Sequence, residues 1–106
     1  MPFIEVDSLP GVERVPGFIG RFVHSENMTT AFYSIKAGSP FPEHSHPHEQ
    51  ISNVVEGRFE LTVDGETRVL EPGTVAVIPA NAVHSGRAIS DCRIIDVFSP
   101  PREDYR

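Results

Sequence analysis

Apolar and β-branched residues recur in short runs at residues 30–35, 51–55, 59–63, 67–70, 74–78 and 93–98, with proline and glycine falling between them. Such spacing predicts strands separated by turns, and no segment carries a sustained apolar period of 3.6. Residues 60–64, Glu-Leu-Thr-Val-Asp, alternate polar with apolar, so one face of that strand should meet a core. Residues 75–78, Val-Ala-Val-Ile, are apolar without a break, which predicts a strand covered on both faces. Asp64-Gly65 supplies the positive φ that a two-residue hairpin loop needs, and Gly57 serves a similar turn before Phe59. Together these signals predict an all-β sandwich or barrel with little or no helix. Residues 1–35 read as peripheral strands, and the last five residues read as a peripheral tail.

At 106 residues the chain reads as one small domain spanning 1–106, with a thin stability margin. Its formal charge is −6, with one lysine and no basic run, which argues against nucleic acid as a partner. The single cysteine, Cys92, excludes an intramolecular disulfide and fits a reducing compartment. No apolar run reaches membrane-spanning length and no signal-peptide pattern is present, so a cytoplasmic protein without membrane contact is expected. Exposed strand edges in so small a barrel favour a homodimer.

The histidines change the picture. Four of the five lie in two windows, residues 38–57 and 73–88. Strand alternation would put His44 and His46 on one face, where two imidazoles can converge on one ion. Pro47 should then break the strand, Gln50 should re-enter on a facing wall, and His84 should arrive after a turn at Pro79. Three imidazoles and one oxygen donor leave coordination positions open, as a reactive metal site requires. Gln50 is the candidate fourth ligand, with Glu49 and His48 as alternatives. His24 lacks such a context and reads as an ordinary strand or surface histidine. The donor set suits one divalent transition metal (Mn, Ni, Zn or Fe).

The windows resemble the two motifs of the cupin superfamily. Gly38, His44, His46, Gln50 and Gly57 stand at the spacings of the first motif, with Gln50 in place of its usual acid. Gly73, Pro79 and His84 match the second; Asn81 replaces a glycine and Ala88 an asparagine. The resemblance implies a double-stranded β-helix barrel, or jelly roll, around the metal. A neutral ligand set keeps the ion's positive charge undiminished, which favours an anionic substrate and a Lewis-acid role.

The run Ile94-Ile-Asp96-Val-Phe98-Ser-Pro-Pro-Arg102-Glu-Asp104-Tyr105 is a second unusual feature. A carboxylate inside an apolar strand is costly unless it has a partner or lines a cavity. This stretch, with the segment from His44 to Gln50 and with Val63-Asp-Gly-Glu-Thr67, resembles the KdgF-type pectin degradation cupins, which convert 4,5-unsaturated monouronates to linear ketonised sugars. The resemblance implies a metal on His44, His46, Gln50 and His84, with Asp96, Phe98 and Arg102 at a small anionic sugar. Asp96 as acid/base and Arg102 as anion clamp are the candidate catalytic groups, and His48, in the turn after Pro47, is either a substrate contact, a support to the ligands or a plain loop residue. Rival readings are a different metal-dependent cupin enzyme, such as a dioxygenase or sugar isomerase, and a non-catalytic metal- or sugar-binding cupin. Oxygen consumption separates a dioxygenase from a ketonising enzyme.

Overall fold

The computed structural model describes residues 2–106. Ten strands carry the chain: β1 (Val12–Val15), β2 (Phe18–His24), β3 (Thr29–Ile35), β4 (Pro40–His44), β5 (Glu49–Glu56), β6 (Phe59–Val63), β7 (Glu66–Leu70), β8 (Val75–Ile78), β9 (His84–Ala88) and β10 (Cys92–Ser99). Two single 3₁₀ turns, Val6–Ser8 and Glu103–Tyr105, are the helical segments among the described residues. No helix is long and apolar enough to cross a membrane.

The strands form two antiparallel sheets. One runs β1-β2-β3-β10-β5-β8 and the other β4-β9-β6-β7. The predicted hairpin joins β6 to β7, with Asp64 and Gly65 both at positive φ. Inward residues of both sheets meet in one core, in which Val54, Ile78 and Ile94 of the larger sheet face Phe59, Leu61 and Leu70 of the smaller. Phe18 anchors one end through edge-on contacts with Phe41 and Phe59.

Three expectations change. The first 35 residues are not peripheral as a whole. β3 lies between β2 and β10, and its Ala31 and Ile35 are buried. The reason is pairing: β3 has a partner on each side, so its inward residues sit in the centre of the larger sheet. The tail is not peripheral either, since Arg102 is only 6 % exposed. Finally, β8 is an edge strand covered on one face only. Val75 and Val77 are 52 % and 63 % exposed, whereas Ile78 is fully buried. Its unbroken apolar sequence reflects a core-facing side and an uncovered outer side, where Val77 stands opposite the exposed Ile51 of β5.

β5 and β6 belong to different sheets, and Gly57 (φ +87) makes the crossing between them. A Cβ there would collide with the Asp91 carbonyl and crowd Cys92 Cα. Gly38 (φ +83) has open space around the same position. An L-residue in the left-handed region costs about 1–2 kcal/mol. Urea unfolding should therefore show a loss near that size for Gly38→Ala and a distinctly larger one for Gly57→Ala. Equal losses would mean that the connection at Asp91 and Cys92 yields freely.

Candidate metal centre and the cavity beside it

Each of the three histidines reaches the centre from a different backbone setting. β4 ends at His44, so the strand stops before Pro47 and His46 lies in the following loop, not on a shared strand face. The two imidazoles still converge, because the loop turns His46 inward. Its carbonyl accepts the Asn81 amide at 2.8 Å, which ties the first window to the turn after Pro79. Asn81 holds that turn with φ +66. His84 opens β9 and pairs directly with His44 across the smaller sheet. Ring centroids are 4.0 Å apart for His44 and His84, and 5.0 Å for His46 and His84. One ligand atom from each of the three lies within 4.8 Å of the others.

The hydrogen bonds decide which nitrogen is available. Nδ1 of His44 donates to the Pro42 carbonyl at 2.8 Å, Nδ1 of His46 to the His48 carbonyl at 3.0 Å, and Nδ1 of His84 to the Ala82 carbonyl at 2.9 Å. A carbonyl oxygen can only accept, so each Nδ1 carries the proton and each Nε2 presents a lone pair. Burial holds the neutral form. It pushes His44 below the ordinary histidine range and takes His46 down to about 4, with the charges of Arg102 and His84 adding to the effect.

This set fits a metal on its own evidence. Nε2 of His84 is buried without a hydrogen-bond partner. Nε2 of His46 faces Oε1 of Gln50 at 3.1 Å, two lone-pair atoms set against each other. Donors at about 2.1 Å from one ion and at right angles to each other have nearly that separation. Gln50 is buried at the start of β5, whereas Glu49 points outward and is exposed, so of the alternatives Glu49 does not face the site. His48 lies one layer back. Its ring packs on those of His46 at 5.3 Å and Phe98 at 6.5 Å, and its carbonyl orients His46.

A cavity between the sheets is lined by two of the three histidines, His44 and His84. Strand register builds its facing wall, since Gln50 pairs with Phe98 and Ser52 with Asp96 across β5 and β10. Asp96, Phe98 and Arg102 line the same cavity as His44, His84 and Gln50. Oδ1 of Asp96 is buried without a partner. Burial drives its carboxyl up to about 6, against the opposing influence of Ser52, Gln50 and Arg102.

Arg102 is held from several directions. Its amide donates to Thr29 Oγ1 at 2.8 Å, and that hydroxyl also meets His24 Nδ1 at 2.8 Å. His24 is thus half-buried support for the tail. The guanidinium lies over the rings of Phe98 (4.8 Å) and Tyr105 (4.0 Å) and donates to both carboxylate oxygens of Asp104. Tyr33, Ser52, Asp104 and Tyr105 form part of this surrounding; Asp104 and Tyr105 close the unusual C-terminal run, but none of the four has a role assigned from sequence. Ser52 could have been singled out, because alternation from Gln50 along β5 puts it on the same face. Tyr33 carries no local signal, since only folding brings it beside Arg102, whereas Tyr105 reaches Arg102 through the local turn Glu103–Tyr105.

Residues 31–98 match the cupin domain family. An uncharacterised protein of Streptomyces coelicolor is 35 % identical over 82 residues, covering 76 % of this chain and 78 % of its own. The pectin degradation protein KdgF of Dickeya dadantii is 36 % identical over 64 residues. That alignment covers 58 % of this chain, and this chain spans 58 % of the Dickeya protein. The solved structure of KdgF from Halomonas sp. superposes with a TM-score of 0.92 and 30 % identity, covering 100 % of this chain and 99 % of its own.

Equilibrium dialysis of chelator-stripped protein against Mn²⁺, Ni²⁺ or Zn²⁺ should recover one ion per chain. His46→Ala and His84→Ala should each weaken it by more than about 100-fold, the upper range for loss of a group that merely supports a ligand. Undiminished affinity in either variant would remove that histidine from the ligand set.

Proposed function

Since the chain belongs to the cupin domain family, we propose that it is a metal-dependent enzyme that converts 4,5-unsaturated monouronates to linear ketonised sugars by ring opening and tautomerisation. The observation that carries this reading is one cavity in which the neutral donors His44, His84 and Gln50 face a buried carboxyl and an arginine, with His46 joining His44 and His84 behind them. Similarity to KdgF proteins supports the same substrate class.

A divalent metal held by His44, His46, Gln50 and His84 would supply Lewis acidity to the substrate's oxygens. Arg102 binds the substrate carboxylate through paired N–H donors. Asp96 takes the proton from the anomeric hydroxyl. The C1 carbonyl forms as the bond from C1 to the ring oxygen breaks, and that oxygen leaves with the electron pair as an enolate on C5. Asp96 then returns the proton to C4, and C5 becomes a ketone, so the reaction is an isomerisation with no atoms gained or lost. The unpartnered Oδ1 of Asp96 is the atom free to carry this proton. Phe98 forms the apolar wall beneath the arginine, and His48 acts on the substrate only through His46 and Phe98.

We also propose a homodimer. β8 leaves one edge of the larger sheet unpaired and exposes Val75 and Val77 beside it, and an antiparallel strand edge is self-complementary about a twofold axis. Sedimentation showing a monomer at all concentrations would end this part of the reading.

The principal test is the loss of ultraviolet absorbance of a purified 4,5-unsaturated monouronate. Acceleration should be abolished by a chelator, restored by metal, and proceed without oxygen consumption. Asp96→Asn should retain the metal and lose roughly 10²–10⁴-fold in turnover. Oxygen uptake would favour a dioxygenase, and full activity of Asp96→Asn would exclude Asp96 as the proton carrier.

A further inference from the structure

A guanidinium has two edges that each present a pair of parallel donors, one through Nε and Nη2 and the other through Nη1 and Nη2. In Arg102 the first is taken. Nε donates to Asp104 Oδ1 at 3.0 Å and Nη2 to Oδ2 at 2.8 Å. Asp104 is 56 % exposed in its side chain and does not line the cavity, whereas Arg102 is 8 % exposed and does. The edge bound to Asp104 therefore turns away from the cavity, leaving the Nη1 edge as the one to meet a ligand. The rings of Phe98 and Tyr105 lie close to the guanidinium and limit its swing out of plane. The hydrogen bond from its backbone N–H to Oγ1 of the fully buried Thr29 fixes the backbone from which the side chain departs.

We propose that Asp104 is a positioning residue that sets the binding mode of Arg102, so that the substrate carboxylate docks end-on against its Nη1 and Nη2 atoms. This rests on the carboxylate-binding role given to Arg102 above. Asp104 itself touches no substrate atom. Its carboxylate removes the rotation about Nε that would otherwise present either edge, and the loss of that freedom is met during folding instead of during binding. Tyr105 belongs to the same device, since the turn Glu103–Tyr105 places ring and carboxylate together on one arginine.

The test uses full-length, metal-loaded protein and D-galacturonate, a saturated uronate that has the carboxylate but no enol ether to ketonise. Calorimetric titration should show binding to the wild type and about tenfold weaker binding to Asp104→Asn, the scale of one charge-assisted hydrogen-bonded pair. Asp104→Glu should recover most of the loss. In an Arg102→Ala background Asp104→Asn should make no further difference, which a general structural role would not predict. With the unsaturated substrate, Asp104→Asn should raise KM and leave kcat within about twofold. Equal or tighter galacturonate binding by Asp104→Asn would overturn the positioning role while leaving Arg102 as the clamp; tighter binding would mean that Asp104 competes with the ligand. Failure of the wild type to bind galacturonate would overturn the clamp itself and this inference with it.

Discussion

The carbonyls of Pro42, His48 and Ala82 each accept a hydrogen bond from an imidazole Nδ1, and the rest of the cavity is organised around the three Nε2 lone pairs this leaves available. An imidazole that donated from Nε2 instead would turn its N–H toward the centre and could not ligate. All three acceptors lie within two residues of the histidine they serve. The tautomer is thus set by local backbone geometry, the approach of His44 to His84 by strand pairing between β4 and β9, and that of His46 by the loop that Asn81 holds.

Charge is distributed so that each buried ionic group has a compensating circumstance. The four candidate ligands contribute no anion, so a bound cation's charge remains available to an anionic ligand. Asp96 sits on the opposite wall, with its ionisation made harder by burial. Arg102, nearly buried, would be costly if unpaired, and Asp104 meets that need from the solvent side. The pairing also holds the Asp104 carboxyl below its ordinary range. The C-terminal turn is therefore part of the site although it lies outside both sheets.

Much of the fold was legible as local pattern. Each of the six apolar runs became a strand, and Asp64-Gly65 became the hairpin. The strands β1, β2, β4 and β9 carried weaker signals. β4 is Pro-Phe-Pro-Glu-His and β9 is His-Ser-Gly-Arg-Ala, both poor in residues with high strand propensity. They are extended because they pair with each other and with β6, not because their own residues demand it. β8 misled for the opposite reason. Continuous valine and isoleucine describe a strand that resists water without saying how many faces are covered, and a sheet edge exposes one of them.

The sequence by itself determined the donor types available to the candidate metal centre. His44, His46, Gln50 and His84 stand at spacings that turns and short strands can bring to one point, and donor type is a property of each residue alone. Asp96 was visible because a carboxylate in an apolar strand conflicts with its surroundings whatever the fold. The tertiary structure alone decided which ring nitrogens are free, that Ser52 stands opposite Asp96, that Tyr33 lines the cavity, and that Asp104 occupies one edge of Arg102. Those facts depend on register between distant strands and on where the tail comes to rest. Directional hydrogen bonds and ring contacts are properties of pairs of groups, and no single position in the chain encodes a pair.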